Sequence, residues 1–411
     1  MKHLLLSALL ALLALTAQAQ PRYQLEKVVE ISRHGVRPPT AGNRTEIEAA
    51  TQRAWPRWRS ADGELTAHGY AAVVNKGRWQ GEHYRQLGLL RAGCPDAGQI
   101  YVRASPLQRT RATAQALLQG AFPGCDVAVH HVAGAVDPLF QSEKLPFGQT
   151  DAATERAAVA ARAGDLAALQ QRLQPAVQQL RQAVCAADCP FFDRPWQLKQ
   201  SKSGHTYVQG LSVLASMAET LRLGWSENLP FSQLAWGNIT RPQQISALLP
   251  LLTANYDLSN DVPYIAQKRA SILLDAVVRN LQDDAATPST RWLLLVAHDT
   301  NIAMLRTLIG FSWQLPGYAR GNIPPGSSLV FERWRDNQTQ TLLLRVYFQA
   351  QSLDALRQLT PIDRQHPLLR QEWHQQNCRQ TAVGTLCPYQ STLEHWRTAI
   401  DQRAVIPVDY P

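Results

Sequence analysis

Apolar and polar positions alternate along this chain in three segments of a single kind. Each is a short apolar run, followed at once by a polar turn and then by a stretch with helical spacing. The first run, Lys27–Ile31, enters Ser32-Arg33-His34-Gly35-Val36-Arg37-Pro38-Pro39-Thr40. The second, Gln99–Arg103, passes through Ala104-Ser105-Pro106 into a helix expected from about Leu107 to Leu118. The third, Arg291–Ala297, leads through His298-Asp299-Thr300 into a helix expected over Asn301–Ile309, with Gly310 as its stop. Apolar runs of strand length that each feed a helix predict βα units and a mainly parallel central sheet flanked by helices. Two further alternating runs, Ser328–Trp334 and Thr341–Phe348, predict a hairpin turning near Asp336-Asn337. The middle of the chain follows the helical period instead: residues 151–184 are rich in Ala, Gln and Leu, and helical spacing recurs over Val208–Leu223 and Val262–Leu281. The expected architecture is therefore α/β, with a smaller all-α domain (145–265) inserted between a first (20–144) and a second (266–411) part of the α/β domain.

The first nineteen residues stand apart from this pattern. Lys2 and His3 precede an apolar run, Leu4–Leu15, and Ala17-Gln18-Ala19 forms a small-residue cleavage site. That is the arrangement of a secretory signal peptide, and the run is too short to span a membrane comfortably. Gln20, where a lipoprotein would need Cys, predicts an unanchored product in the periplasm. All six cysteines, Cys94, Cys125, Cys185, Cys189, Cys378 and Cys387, lie beyond the cut. An even number in an oxidising compartment suggests three disulfides, whose pairing spacing alone leaves open. Cys185 and Cys189 have no second Cys or His pair nearby at zinc-ligand spacing, so no metal site is expected there.

Charge narrows the chemistry. There are 41 Lys and Arg against 32 Asp and Glu, and only seven of the cations are Lys. Arginine suits bidentate recognition of phosphate or carboxylate, although base composition of the genome explains such enrichment equally well. No basic run interleaved with aromatics is present, which argues against nucleic acid as a partner, and no membrane partner is expected.

Arg33-His34-Gly35-Val36-Arg37 stands at the C-terminal end of a strand, where open α/β sheets bind ligands. Gly35 permits an unusual turn or a close approach, and two arginines flank the histidine. His298-Asp299 occupies the equivalent position on another strand, where a helix cap is the structural alternative. Arg109, in Gln108-Arg109-Thr110, falls in the first turn of a helix, an unfavourable place for a cation unless an anion binds beside it. One sheet rim offering His34, His298, Asp299 and several arginines matches what phosphoryl transfer needs: positive donors for the equatorial oxygens, a nucleophile and a proton for the leaving oxygen. The neighbouring arginines should keep His34 neutral and nucleophilic in mild acid, and Asp299 has to be protonated to serve as general acid. The scheme requires neither cofactor nor metal.

Taken together, Arg33–Thr40 and His298-Asp299-Thr300-Asn301 resemble the histidine acid phosphatases, the second branch of the histidine phosphatase superfamily. Within that branch the chain resembles the bacterial periplasmic group that contains phytases and glucose-1-phosphatases. Asp137-Pro138-Leu139-Phe140, Ala215-Ser216-Met217, Trp236-Gly237-Asn238-Ile239-Thr240 and Phe331-Glu332-Arg333-Trp334 support the likeness, which covers nearly all of the chain after the signal. The resemblance implies an α/β domain with an inserted helical domain and substrate in the cleft between them. It implies His34 as the nucleophile that becomes phosphohistidine, Asp299 as proton donor, and Arg33, Arg37, Arg109 and His298 as phosphate ligands. Thr40 would line the substrate pocket, and Glu219 and Arg269 are candidate pocket residues. The implied disulfides are Cys94–Cys125, Cys185–Cys189 and Cys378–Cys387. Ala104–Gln108 is closer to the glucose-1-phosphatase type, and Ala41 stands where phytases can carry a basic pocket residue; His298–Asn301 and Gly35-Val36 lean toward phytases. The substrate expected is thus a small phosphomonoester, phytate or a sugar phosphate, taken by a monomer. An exported anion-binding protein without turnover, a phosphomutase and a metallophosphatase are the rival readings.

Overall fold

A computed structural model describes residues 21–282 and 290–408; the expected signal peptide lies outside the described residues. In chain order the structure runs β1 (Tyr23–Arg33), α1 (Ala41–Thr51), α2 (Ala67–Gln86), β2 (Ile100–Ala104), α3 (Gln108–Ala121) and β3 (Val129–His130). A mainly helical stretch follows: α4 (Ala152–Ala163), α5 (Leu166–Arg172), α6 (Gln174–Val184), β4 (Gln197–Gln200), β5 (Thr206–Gln209), α7 (Leu211–Ser226), α8 (Pro242–Ser246), α9 (Pro250–Ser259) and α10 (Pro263–Gln282). The chain then returns to the sheet through β6 (Trp292–Ala297), α11 (Asp299–Leu308), β7 (Ser328–Asp336) and β8 (Thr341–Ala350). It closes with α12 (Leu353–Gln358), β9 (Leu369–Glu372), β10 (Arg379–Thr381), β11 (Gly384–Pro388) and α13 (Tyr389–Ala399).

The strand order is β10-β11-β8-β7-β1-β6-β2-β3, with β9 also on β8. Strands β1, β6, β2 and β3 run parallel. The β7–β8 hairpin and the short strands beyond it extend this parallel part antiparallel. Strand β6 arrives from late in the chain and slots between β1 and β2. Its register pairs Ala297 with Arg33 and Val296 with Ala104, so three C-terminal strand ends lie side by side. Every residue of β6 is buried, because helices cover both faces of the sheet. Leu293, Leu295 and Ala297 point into a core shared with α7, α9, α10 and α11, whereas Trp292, Leu294 and Val296 join α2 and α3 on the other face.

Two features depart from the pattern reading. The 145–265 region is not purely helical, because β4 and β5 form an antiparallel hairpin. The helix expected from Val208 begins only at Leu211. Gly210, at φ +96°, breaks the chain between strand and helix, and a Cβ there would come within 2.6 Å of Trp196 Cδ1. The cysteines pair as Cys94–Cys125, Cys185–Cys189 and Cys378–Cys387. Among the described residues no helix is long and apolar enough to cross a membrane.

Candidate active site

The end of β1 is fixed by backbone bonds to both neighbouring strands. Arg33 N donates to Ser327 O at 2.8 Å and His34 N to Ala297 O at 3.1 Å. The chain then turns against α2. A Cβ on Gly35 would lie 2.8 Å from Leu65 Cδ1 and 3.0 Å from Val73 Cγ2, so close packing is what this position demands. Gly35 N is also held by Thr113 Oγ1 of α3 at 2.9 Å.

His34 is 1% exposed, and its Nδ1 lies 2.8 Å from the Gly35 carbonyl oxygen. A carbonyl only accepts, so Nδ1 carries the proton and the lone pair resides on Nε2. The His34 and His298 rings lie 5.7 Å apart at an angle of 66°. His298 forms the N-cap of α11, its backbone N donating to Asn301 Oδ1, while its Nε2 lies 3.0 Å from Ser105 Oγ at the end of β2. Asp299 opens α11, with Oδ2 accepting from the Tyr256 hydroxyl at 2.5 Å and 3.7 Å from Arg33 Nη2.

The arginines converge from three elements. Arg33 Nη1 donates to the Ile323 carbonyl and Nη2 to Glu219 Oε1, both at 2.5 Å; Arg222 bonds the other Glu219 oxygen. Arg37 Nη1 reaches Pro38 O at 2.9 Å, and Arg109 Nη1, in the first turn of α3, reaches Gly63 O at 3.2 Å. The Nε atoms of Arg33, Arg37 and Arg109 are buried without a protein acceptor, as are those of Arg111 and Arg269; what sets the first three apart is their convergence beside His34. Thr40 is the N-cap of α1, its Oγ1 accepting from Asn43 N. It borders the same turn: a Cβ on Gly63 would be 3.7 Å from Thr40 Cγ2 and 3.9 Å from Arg109 Nη1.

These charges set the protonation states. Burial first, then Arg33, Arg37, Arg109 and His298, hold His34 well below its ordinary value. His298 is lowered to about 3, by burial and then by Arg109. Burial pushes Arg109 down to about 10, and neighbouring Arg37 adds to it. Burial favours a neutral Asp299, but Arg33, the Tyr256 hydrogen bond, Arg37 and His298 together outweigh it and hold the carboxyl well below the usual range. In the free protein Asp299 is thus ionised. A protonated Asp299 requires something to offset the arginines, which a bound phosphate dianion would do.

The structure brings His34, Arg33, Arg37, Arg109, His298 and Asp299 to one rim, with Thr40 at its border. Glu219 meets Arg33 and Arg222 rather than open space. Arg269 lies in a separate cluster with Glu155 at 2.8 Å and Thr150 at 3.2 Å. Tyr256, Arg222 and Ser105 escaped the motif reading. The charged pair Glu219 and Arg222, one turn apart on a helix otherwise largely apolar, was a usable signal for Arg222. Among the described residues no three His, Cys, Asp or Glu side chains gather as metal ligands would.

Known proteins resemble this chain in sequence and in fold. The family model for the histidine phosphatase superfamily (branch 2) matches residues 24–349. Phytase AppA of Escherichia coli is 32% identical over 397 residues, covering 89% of this chain and 91% of its own. A glucose-1-phosphatase of Salmonella typhimurium is 33% identical, covering 91% and 92%. The crystal structure of Klebsiella sp ASR1 phytase superimposes with a TM-score of 0.92 at 65% identity, covering 94% of this chain and 98% of that one. Hafnia alvei phytase in complex with tartrate gives 0.86 at 31% identity, over 95% and 100%. With the motif residues assembled on one sheet rim and the match running over most of its length, the chain belongs to the histidine phosphatase superfamily, branch 2.

Proposed function

We propose that this protein is a periplasmic acid phosphomonoesterase that hydrolyses phytate or a sugar phosphate through a phosphohistidine on His34. The observation that carries the reading is the His34 ring, oriented by Gly35 so that an unprotonated Nε2 stands within a cluster of arginines with unpartnered donors. Similarity to a phytase and to glucose-1-phosphatases supports the substrate class.

The phosphate dianion takes the unpartnered donors of Arg33, Arg37 and Arg109, with the His298 ring beside them. Its negative charge opposes the arginine field and raises the proton affinity of Asp299. His34 Nε2 attacks phosphorus, the P–O bond to the leaving group breaks, and Asp299 gives that oxygen its proton. Asp299, now ionised, takes a proton from the water that attacks phosphohistidine, which releases inorganic phosphate and restores both groups. Thr40 borders the pocket for the rest of the substrate. One chain supplies every group named, so a monomer suffices. Export is supported by the signal-like residues 1–19 and by three disulfides.

The test is phosphate release in mild acid, with chelator present, from phytate, glucose 1-phosphate and an aryl phosphate. The rate should not decline on going from about pH 6.5 to 5, because a depressed His34 stays neutral below its ordinary titration range. The substrate ranking separates phytase from sugar phosphatase. Folded protein that binds phosphate and turns over none of the esters would reverse the proposal in favour of an anion-binding protein.

A further inference from the structure

Tyr256 lies outside the motifs, in the middle of α9, and is 3% exposed. Its ring belongs to the large core on the helical side of the sheet, and the Arg306 guanidinium sits over it at 5.9 Å. Arg306 is itself fixed by Asp261, so the ring has little freedom. A phenylalanine would fill this space equally well. The hydroxyl is what needs a reason, since a buried hydroxyl is unfavourable unless bonded. It donates to Asp299 Oδ2 at 2.5 Å.

The ion pair from Arg33 falls on that same oxygen, at 3.7 Å. An oxygen already facing a phenolic proton and a guanidinium is a poor place for a further proton. When Asp299 is protonated, the proton therefore belongs on Oδ1. As it leaves, charge builds on the carboxylate, and a hydrogen bond from O–H to O⁻ is shorter and stronger than one to a neutral acid. The phenol thus stabilises the transition state of proton transfer more than the ground state.

We infer that Tyr256 is a positioning residue for the proton donor, directing the Asp299 proton to Oδ1 and strengthening Asp299 as an acid. This rests on the reading of Asp299 as general acid. Burial keeps Tyr256 protonated, since its hydroxyl is pushed well above the ordinary tyrosine value. The groups that set the Asp299 charge state are Arg33 from β1, Arg37 from the turn after it, Arg109 from α3, His298 beside it and Tyr256 from α9. Glu219 and Arg222 from α7 act on Tyr256 as well.

The experiment measures kcat/KM, which reports steps up to phosphorylation, for wild type, Tyr256→Phe and Asp299→Asn. Each is run on p-nitrophenyl phosphate and on glycerol phosphate between about pH 4 and 7. The nitrophenolate leaves without help, whereas the alkoxide needs the proton. Tyr256→Phe should lose about tenfold on glycerol phosphate and less than about twofold on the aryl ester. The alkaline limb of its kcat on glycerol phosphate, which reports the substrate-bound enzyme, should move to higher pH, because the carboxylate has lost a stabilising donor. Turnover of the aryl ester by the same samples shows that they are folded. Equal loss on both esters, or no loss, with an unmoved limb would overturn the inference provided that Asp299→Asn still separates the esters. If Asp299→Asn does not separate them, the general-acid reading itself fails, and the role of Tyr256 with it.

Discussion

Two buried polar clusters lie on one strand of this protein, three residues apart, and they are built on opposite principles. Glu30 of β1 meets Lys76 at 2.9 Å, Gln80 at 2.7 Å and the Ser328 hydroxyl, while Lys76 also reaches Ser32 and Ser328. One cation faces one carboxylate, the Lys76 ammonium has all three protons placed, and a single acceptor, Gln80 Oε1, is left without a partner. At the end of the strand, Arg33, Arg37, Arg109 and Arg222 face only Glu219 and Asp299, and Nε atoms of all four arginines remain without acceptors. Closed networks rigidify a core. An open one with an excess of positive charge stores the capacity to bind an anion, and helix and strand ends supply the rigidity that keeps it in place. Burial of charge alone would not have distinguished these two clusters; the imbalance of donors over acceptors does.

The comparison can be broken at either cluster. The larger effect on turnover is expected from Arg109→Ala, which removes a donor from the open cluster and should lower kcat/KM by about 10²- to 10³-fold with little change in thermal stability. Steady-state kinetics alongside a melting curve check both halves, and unchanged kinetics would remove Arg109 from the phosphate site. The smaller effect on turnover belongs to Lys76→Met. Breaking the closed pair leaves Glu30 buried and unmatched, so folding stability should drop by about 3–5 kcal/mol, read from denaturant unfolding, while kcat/KM of the folded protein stays within about twofold. A large kinetic defect there would mean that the two clusters are coupled and that their contrast has been drawn too sharply.

Much of this was legible in the sequence, and the exceptions have physical causes. The runs feeding Arg33-His34, Ser105 and His298-Asp299 are apolar because their strands are covered by helices, so pattern alone located all three strand ends at which the candidate site gathers. Arg109 was legible as a cation in the wrong half of a helix. The β4–β5 hairpin was not, since its strands are four residues each and lie half in solvent, leaving little periodicity to read. Strands β9, β10 and β11 escaped for the same reason of length. The contacts that orient the site were hidden by distance along the chain. Glu219 is 186 residues from Arg33, and Tyr256 is 43 from Asp299. Nothing local marks such partners. The Asp299 charge state was likewise out of reach, because it depends on how closely the arginines and the phenol approach.

The most direct measurement is to trap the covalent intermediate. Protein quenched in alkali during turnover of a ³²P-labelled aryl phosphate, then digested and mapped, should carry label on the peptide containing His34. That label should survive base and be lost in acid, as a phosphorus–nitrogen bond requires, and it should be absent from His34→Ala. Label on another residue, or undiminished turnover by His34→Ala, would contradict the account.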